Sequence, residues 1–129
     1  MKPVYTRADD VRKLAENIVT ILNDYFGHID INRIFFVRSK GSRTTAIARI
    51  HALPRIWREV LGLEPTYIIE VVSENYDPLS NDEKIKIIIH ELLHIPSRFS
   101  GGLRPHGKFV NNNVVKKLFK IYKKRLNSN

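Results

Sequence analysis

Two histidines four residues apart with a glutamate beside the first, His90-Glu91-Leu92-Leu93-His94, are the residues of this chain whose types and spacing could do chemistry. A third histidine, His106, follows with eleven residues between it and His94. On a helix, residues four apart lie one turn along the axis and about 40° from eclipsed, so His90 and His94 leave one face as a pair of imidazoles. That is the arrangement of a two-toothed metal clamp. Glu91, one position round, lies beside the pair rather than in it, placed to take a proton from metal-bound water whose pKa zinc lowers to about 7. With 5 His and 7 Glu in 129 residues, a shuffled chain carries this pattern about 1% of the time, so its context has to decide. The competing account makes His90 and His94 polar neighbours on a core helix and Glu91 a surface charge.

The context is a well-bounded helix. Ser80-Asn81-Asp82-Glu83 is a capping box with Ser80 as N-cap. Ile85, Ile88, Ile89, Leu92 and Ile95 repeat at three- and four-residue spacing and predict one buried side, and Pro96 stops the helix by disfavouring helical backbone at Ile95. The motif therefore falls in its last two turns. Beyond Pro96, residues 97 to 105 read as a loop that Gly101-Gly102 allows to reverse, and His106-Gly107 opens a final helix. Val114, Val115, Leu118, Phe119, Tyr122 and Leu126 form the stripe of that helix, opposite Lys116, Lys117, Lys120, Lys123, Lys124 and Arg125.

Upstream, Thr6 to Phe26 reads as an amphipathic helix capped by Thr6 or Asp9, striped by Val11, Leu14, Ile18, Leu22 and Tyr25, and stopped at Gly27. Ile31 to Arg38 and Thr44 to Ala52 read as strands joined by a Lys40-Gly41-Ser42 turn, most simply a hairpin, with Arg49 and His51 on one face of the second. Pro54 to Leu61 reads as a short helix bearing Ile56, Trp57 and Val60 and ended at Gly62, and Thr66 to Ser73 as a third strand. The expected fold is α+β, with a small, mainly antiparallel sheet of about three strands packed against the motif helix and helices at both ends. Residues 1 to 129 are expected to form a single domain, with the basic helix from about 107 to 126 as part of it.

The chain has no cysteine, which excludes disulfides and thiolate ligands and leaves His, Asp and Glu to hold a metal. No apolar stretch approaches the length of a membrane span and the first ten residues carry no signal-like apolar run, so the cytoplasm is the expected location and no membrane is expected as a partner. The net charge of +9 is segregated: residues 1 to 94 hold 13 basic and 13 acidic side chains, whereas residues 95 to 129 hold nine basic ones and no acid. Such a block can draw a chain to nucleic acid, but the solvated face of an amphipathic helix is the favoured account, since the apolar stripe is intact and no aromatic platform accompanies the charges.

With these residues in view, a resemblance can be stated. HELLHIP, the Gly-Gly loop and LRPHG, preceded by an ARI-x-x-LPR segment and the strand YIIEVVSE, resemble a small zincin-type metallopeptidase family of archaea and phages, over about residues 31 to 109. A looser likeness, limited to HExxH and a later His-Gly-x-Phe, is to SprT-like proteases. The resemblance implies a zinc protease with one Zn2+ per chain, ligands at His90, His94 and His106, and Glu91 as general base. Two other zincin patterns do not fit: Ser100 stands where a metzincin has its third histidine and Ser97 where it has glycine, and no glutamate follows Glu91 to serve as a gluzincin ligand. An Asp or Glu from earlier in the chain remains an alternative third ligand.

The expected chemistry is attack of activated water on a peptide carbonyl, with a side-chain donor for the developing oxyanion drawn from Arg104, Arg49, His51 or Tyr76. An extended peptide or protein substrate would pair with an exposed strand edge. Two other classes remain in play. One is a nucleic-acid-associated module, SprT-like or simply DNA-binding, using the cluster from Lys116 to Arg125. The other is a non-catalytic protein whose zinc ties two helices together, which a fourth protein ligand would reveal.

Overall fold

The apolar run Tyr67-Ile68-Ile69-Glu70-Val71-Val72 is too continuous for an edge strand with one wet face, and it forms an inner strand of the sheet. In the computed structural model, which describes residues 2–128, the elements are β1 (Val4–Arg7), α1 (Asp9–Ile21), α2 (Asn23–Phe26), a 3-10 turn (Ile31–Arg33), β2 (Ile34–Lys40), β3 (Ala48–Ala52), α3 (Arg55–Leu61), β4 (Tyr67–Val72), α4 (Ser73–Tyr76), α5 (Asn81–Leu93) and α6 (Asn112–Asn127). The sheet has four strands in the order β1-β2-β4-β3. β1 runs antiparallel to β2 with Tyr5 opposite Ser39, β2 parallel to β4 with Val37 opposite Glu70, and β4 antiparallel to β3 with Glu70 opposite Arg49.

The α+β class holds, but three expectations about the sheet do not. It has four strands rather than about three, and it is mixed. The supposed hairpin is absent, because β4 inserts between β2 and β3 and takes the hydrogen bonds of both. The first helix begins at Asp9, because Val4 to Arg7 pairs with the edge of β2 instead of preceding a helix from Thr6. That helix also breaks at Leu22, after which Phe26 rather than Tyr25 enters the core.

One sheet face, with Ile34, Phe36, Tyr67, Ile69 and Val71, packs against Val11, Ala15 and Ile18 of α1 and Ile85, Ile88, Ile89 and Leu92 of α5. Val115, Leu118 and Tyr122 of α6 close the layer, and the Tyr122 hydroxyl bonds Asn17 of α1. The opposite face carries the exposed side chains of Tyr5, Phe35 and Ile68. Glu70 is nearly inaccessible there, under Ser39, Arg49 and His51. No helix among the described residues is long and apolar enough to cross a membrane.

Candidate metal centre

α5 is positioned from both ends. Ser80 accepts the Glu83 backbone N–H at 3.2 Å while the Glu83 carboxylate takes the Ser80 N–H, the reciprocal capping box expected of these residues. All five stripe residues, Ile85, Ile88, Ile89, Leu92 and Ile95, are buried. Burying that stripe fixes the rotation of the helix, so that His90, Glu91 and His94 face a cleft between α5, the edge of β3 and the loop at 103–106.

The second half of the site comes from the loop after α5, and two sets of bonds hold it. Arg104 N–H donates to the His94 carbonyl at 2.6 Å, and His94 Nδ1 donates to the Arg104 carbonyl at 2.6 Å. With its Nδ1 proton so engaged, His94 keeps the Nε2 lone pair free to face the cleft. Further back, the buried Tyr67 hydroxyl accepts the Gly101 N–H at 2.8 Å and donates to the Gly102 carbonyl at 2.9 Å. Gly101 has φ +93°, a conformation favouring glycine, and the Arg58 side chain lies against the space a Cβ would fill. Loop and helix end are thereby locked together, and His106 is carried over His90.

The result is one group of three imidazoles. Each of His90, His94 and His106 offers a nitrogen within 4.8 Å of the others, and His90 Nε2 and His106 Nε2 are 3.0 Å apart. Two nitrogens each about 2.0–2.1 Å from one tetrahedral zinc ion lie about 3.3 Å apart, so the donor set fits such an ion. Burial, and then the charges that His94 and His106 would carry, hold the His90 pKa below its ordinary value, favouring the neutral, metal-binding form. Glu91 sits at the edge of the group, only 7% exposed, and burial pushes its carboxyl up to about 7. No fourth His, Cys, Asp or Glu joins the group among the described residues, and no earlier carboxylate takes the place of His106. His106 lies outside the last helix, which starts at Asn112 under an Asn111 cap, five residues later than expected. The segment 106–110 is shaped instead by a Gly107 N–H to Val110 carbonyl bond and by Asn111 Nδ2 donating to the Gly107 carbonyl.

The candidate oxyanion donors are dispersed. Arg49 borders the cleft by position, but its guanidinium is on the far side of the sheet, donating to Glu70 at 2.9 and 3.2 Å, and His51 bonds the same carboxylate at 2.8 Å. Tyr76 is buried next to Lys84, with Asp10, Arg38 and Asp77 as its charged neighbours, and does not line the cleft. Arg104 does line it, with its guanidinium turned to the Ile95 carbonyl at 2.9 Å and stacked over Phe109. His28 is half-buried, its Nε2 3.3 Å from that same carbonyl. In the basic helix, Lys123 pairs with Asp82, Arg125 pairs with Asp24 and Lys117 lies over the Tyr25 ring, whereas Lys116, Lys120 and Lys124 have no carboxylate partner among the described residues.

Sequence reasoning missed Tyr67, the anchor of the loop that presents His106. It is 34 residues from Gly101 and reads locally as one more aromatic strand residue, so only the tertiary pairing reveals it.

A helix presenting H-E-x-x-H with a third histidine over the clamp is, on this α+β scaffold, a donor set that could hold a metal ion. A family model described as "Putative phage metallopeptidase" matches residues 4–127, and the chain belongs to that family. No curated protein and no solved structure matches it.

Proposed function

We propose that this chain is a zincin-like, zinc-dependent peptidase in which His90, His94 and His106 hold the metal and Glu91 is the general base. The observation that carries the reading is the convergence of three imidazoles from two separate segments onto one point beside a buried carboxylate. When bound, zinc supplies a Lewis acid and lowers the pKa of a coordinated water. The chain's own residues supply the rest. Glu91 is nearly buried beside the three imidazoles, where burial raises the proton affinity of its carboxylate, and it can accept a proton from the attacking water and return it to the departing amine. The Arg104 carbonyl fixes the ring orientation of His94.

The substrate has a ready binding edge. At the two ends of the β3·β4 ladder, Ile47 accepts the Val72 N–H and Leu53 donates its N–H to the Thr66 carbonyl. By antiparallel alternation, the N–H and C=O groups of Ala48, Ile50 and Ala52 point away from the sheet, beside the cleft. An extended polypeptide pairs there with its carbonyl presented to the metal group. A merely structural zinc is closed by a fourth protein ligand, and the described residues offer none, which favours a catalytic site.

Protein purified without chelator should carry about one zinc per chain by elemental analysis. Incubated with a mixture of unstructured peptides and read by mass spectrometry, it should cleave them. Glu91→Gln should lower the rate by about 10³-fold with zinc retained, whereas His106→Ala should lose both metal and activity. Metal-free protein that gains no thermal stability from added zinc, or full activity in Glu91→Gln, would overturn the assignment.

A further inference from the structure

α3 turns its apolar side outward. Ile56, Trp57, Val60 and Leu61 share one face of this helix, yet none of its residues is buried. Those four are 71, 57, 76 and 57% exposed, and Leu63, just past the left-handed Gly62 cap, is 46% exposed. The helix is attached by its polar side, where Arg58 packs over Gly101 of the loop that carries His106. Together the five side chains present on the order of 500 Å² of apolar surface, as large as the largest patch of a typical monomer.

We propose that this face docks an apolar segment of the polypeptide being cleaved, about five residues from the bond that is cut; the assignment rests on the peptidase reading above. Continuity with the cleft carries it. The free edge of β3 borders the metal group at Ala48 and Ile50, and the chain passes from Ala52 through Leu53-Pro54 directly into α3. A peptide paired along that edge runs past Ala52 toward α3. The chain from Ile50 to Pro54 covers about 13 Å and half of the helix about 5 Å more, or roughly five extended substrate residues from the level of Ile50. Leu103, 40% exposed, extends the apolar surface into the cleft itself. Size argues against a second copy of this chain as the occupant. A stable dimer buries about 800 Å² per partner, well beyond this patch, whereas a short peptide segment matches it.

Trp57 is the only tryptophan in the chain, so its emission reads this face directly and without catalysis. Zinc-loaded Glu91→Gln protein is titrated with an unstructured peptide carrying a Leu/Phe block at one end, and with a counterpart carrying Ser in that block. The apolar peptide should produce a saturable blue shift and the Ser peptide none. Native protein should cleave the apolar peptide with kcat/KM about tenfold higher, the gain residing in KM. The double variant Ile56→Ser, Val60→Ser, which keeps Trp57, should lose both the shift and the preference, with helical circular dichroism and zinc content as controls on folding.

Equal cleavage of the two peptides, or no shift with either, overturns the proposal and leaves the peptidase reading standing. Docking without any cleavage by native protein overturns the peptidase reading instead. A shift produced only by phosphatidylcholine vesicles, or by raising protein concentration with a dimer in sedimentation, assigns the face to lipid or to a second copy and overturns the proposal.

Discussion

The backbone carbonyl of Arg104 and the hydroxyl of Tyr67 decide at the residue scale whether three histidines become one site, because neither His94 nor His106 is held by its own segment alone. Tyr67→Phe removes the hydroxyl that joins the Gly101 N–H to the Gly102 carbonyl, keeping the ring that packs edge-on to Phe99. It should lower zinc affinity by about 10–100-fold, measured by competition with a chromophoric chelator; an unchanged affinity would sink the idea that the hydroxyl positions the loop. Glu70 is a separate residue-scale case. Burial pushes its carboxyl up, but the bonds from Arg49, Ser39 and His51 prevail and hold it at about 2, well below the ordinary carboxylate value of 4.5. A folded pKa below the unfolded one gives stability that is present above about pH 4.5 and lost as pH falls toward 2, worth about 3 kcal/mol at most. Acid titration followed by circular dichroism should therefore show a steep loss of stability between those values that Glu70→Gln flattens. His90, Glu91 and His94 were legible in the sequence because helical spacing alone sets their relation. Arg49 and His51 were not, since the face they take follows from the Glu70 opposite them, a partner about twenty residues away.

Whether an element is legible depends on how local its causes are. The capping box and stripe of α5 and the αL glycine after α3 are written within a few residues, and all occur where the sequence places them. β1 was hidden because Val4 to Arg7 becomes a strand only through the edge of β2, and the hairpin was misjudged because β4, the true neighbour of both strands, arrives later in the chain. The loop from Pro96 to Val110 lies between these extremes. Its need to reverse was visible in Gly101-Gly102, but which glycine does the work was not. Gly101 has φ +93° and the Arg58 guanidinium carbon 2.8 Å from an added Cβ, while Gly102 has nothing within 4 Å. Gly101→Ala should cost about 1–2 kcal/mol in thermal unfolding and weaken zinc binding, whereas Gly102→Ala should leave both within error. Equal effects at the two positions would show that the loop adapts rather than presents His106.

At the scale of the whole molecule, the segregated charge sets the expectation for nucleic acid. The surplus of +9 arises C-terminal to the motif, yet in the fold much of the α6 cluster is already answered. Asp82 and Asp24, both from the balanced N-terminal part, take Lys123 and Arg125, and Tyr25 takes Lys117. Three exposed lysines, Lys116, Lys120 and Lys124, are left with neither a carboxylate nor an aromatic partner among the described residues. Three phosphate contacts release about three counterions, so log K against log salt should have a slope no steeper than about −3, a loss of roughly 40-fold between 50 and 200 mM salt. Proteins that hold duplex DNA non-specifically at physiological salt use about twice as many contacts or more. The α6 face should therefore act as a solvated surface: fluorescence anisotropy with a labelled duplex should show no binding near 150 mM salt. Any binding near 20 mM should fall away when Lys116, Lys120 and Lys124 become Glu. A slope of about −6 or steeper, or binding that survives those three substitutions, would mean that cations beyond α6 contact the phosphates. Either outcome would favour the alternative of a nucleic-acid-associated protease.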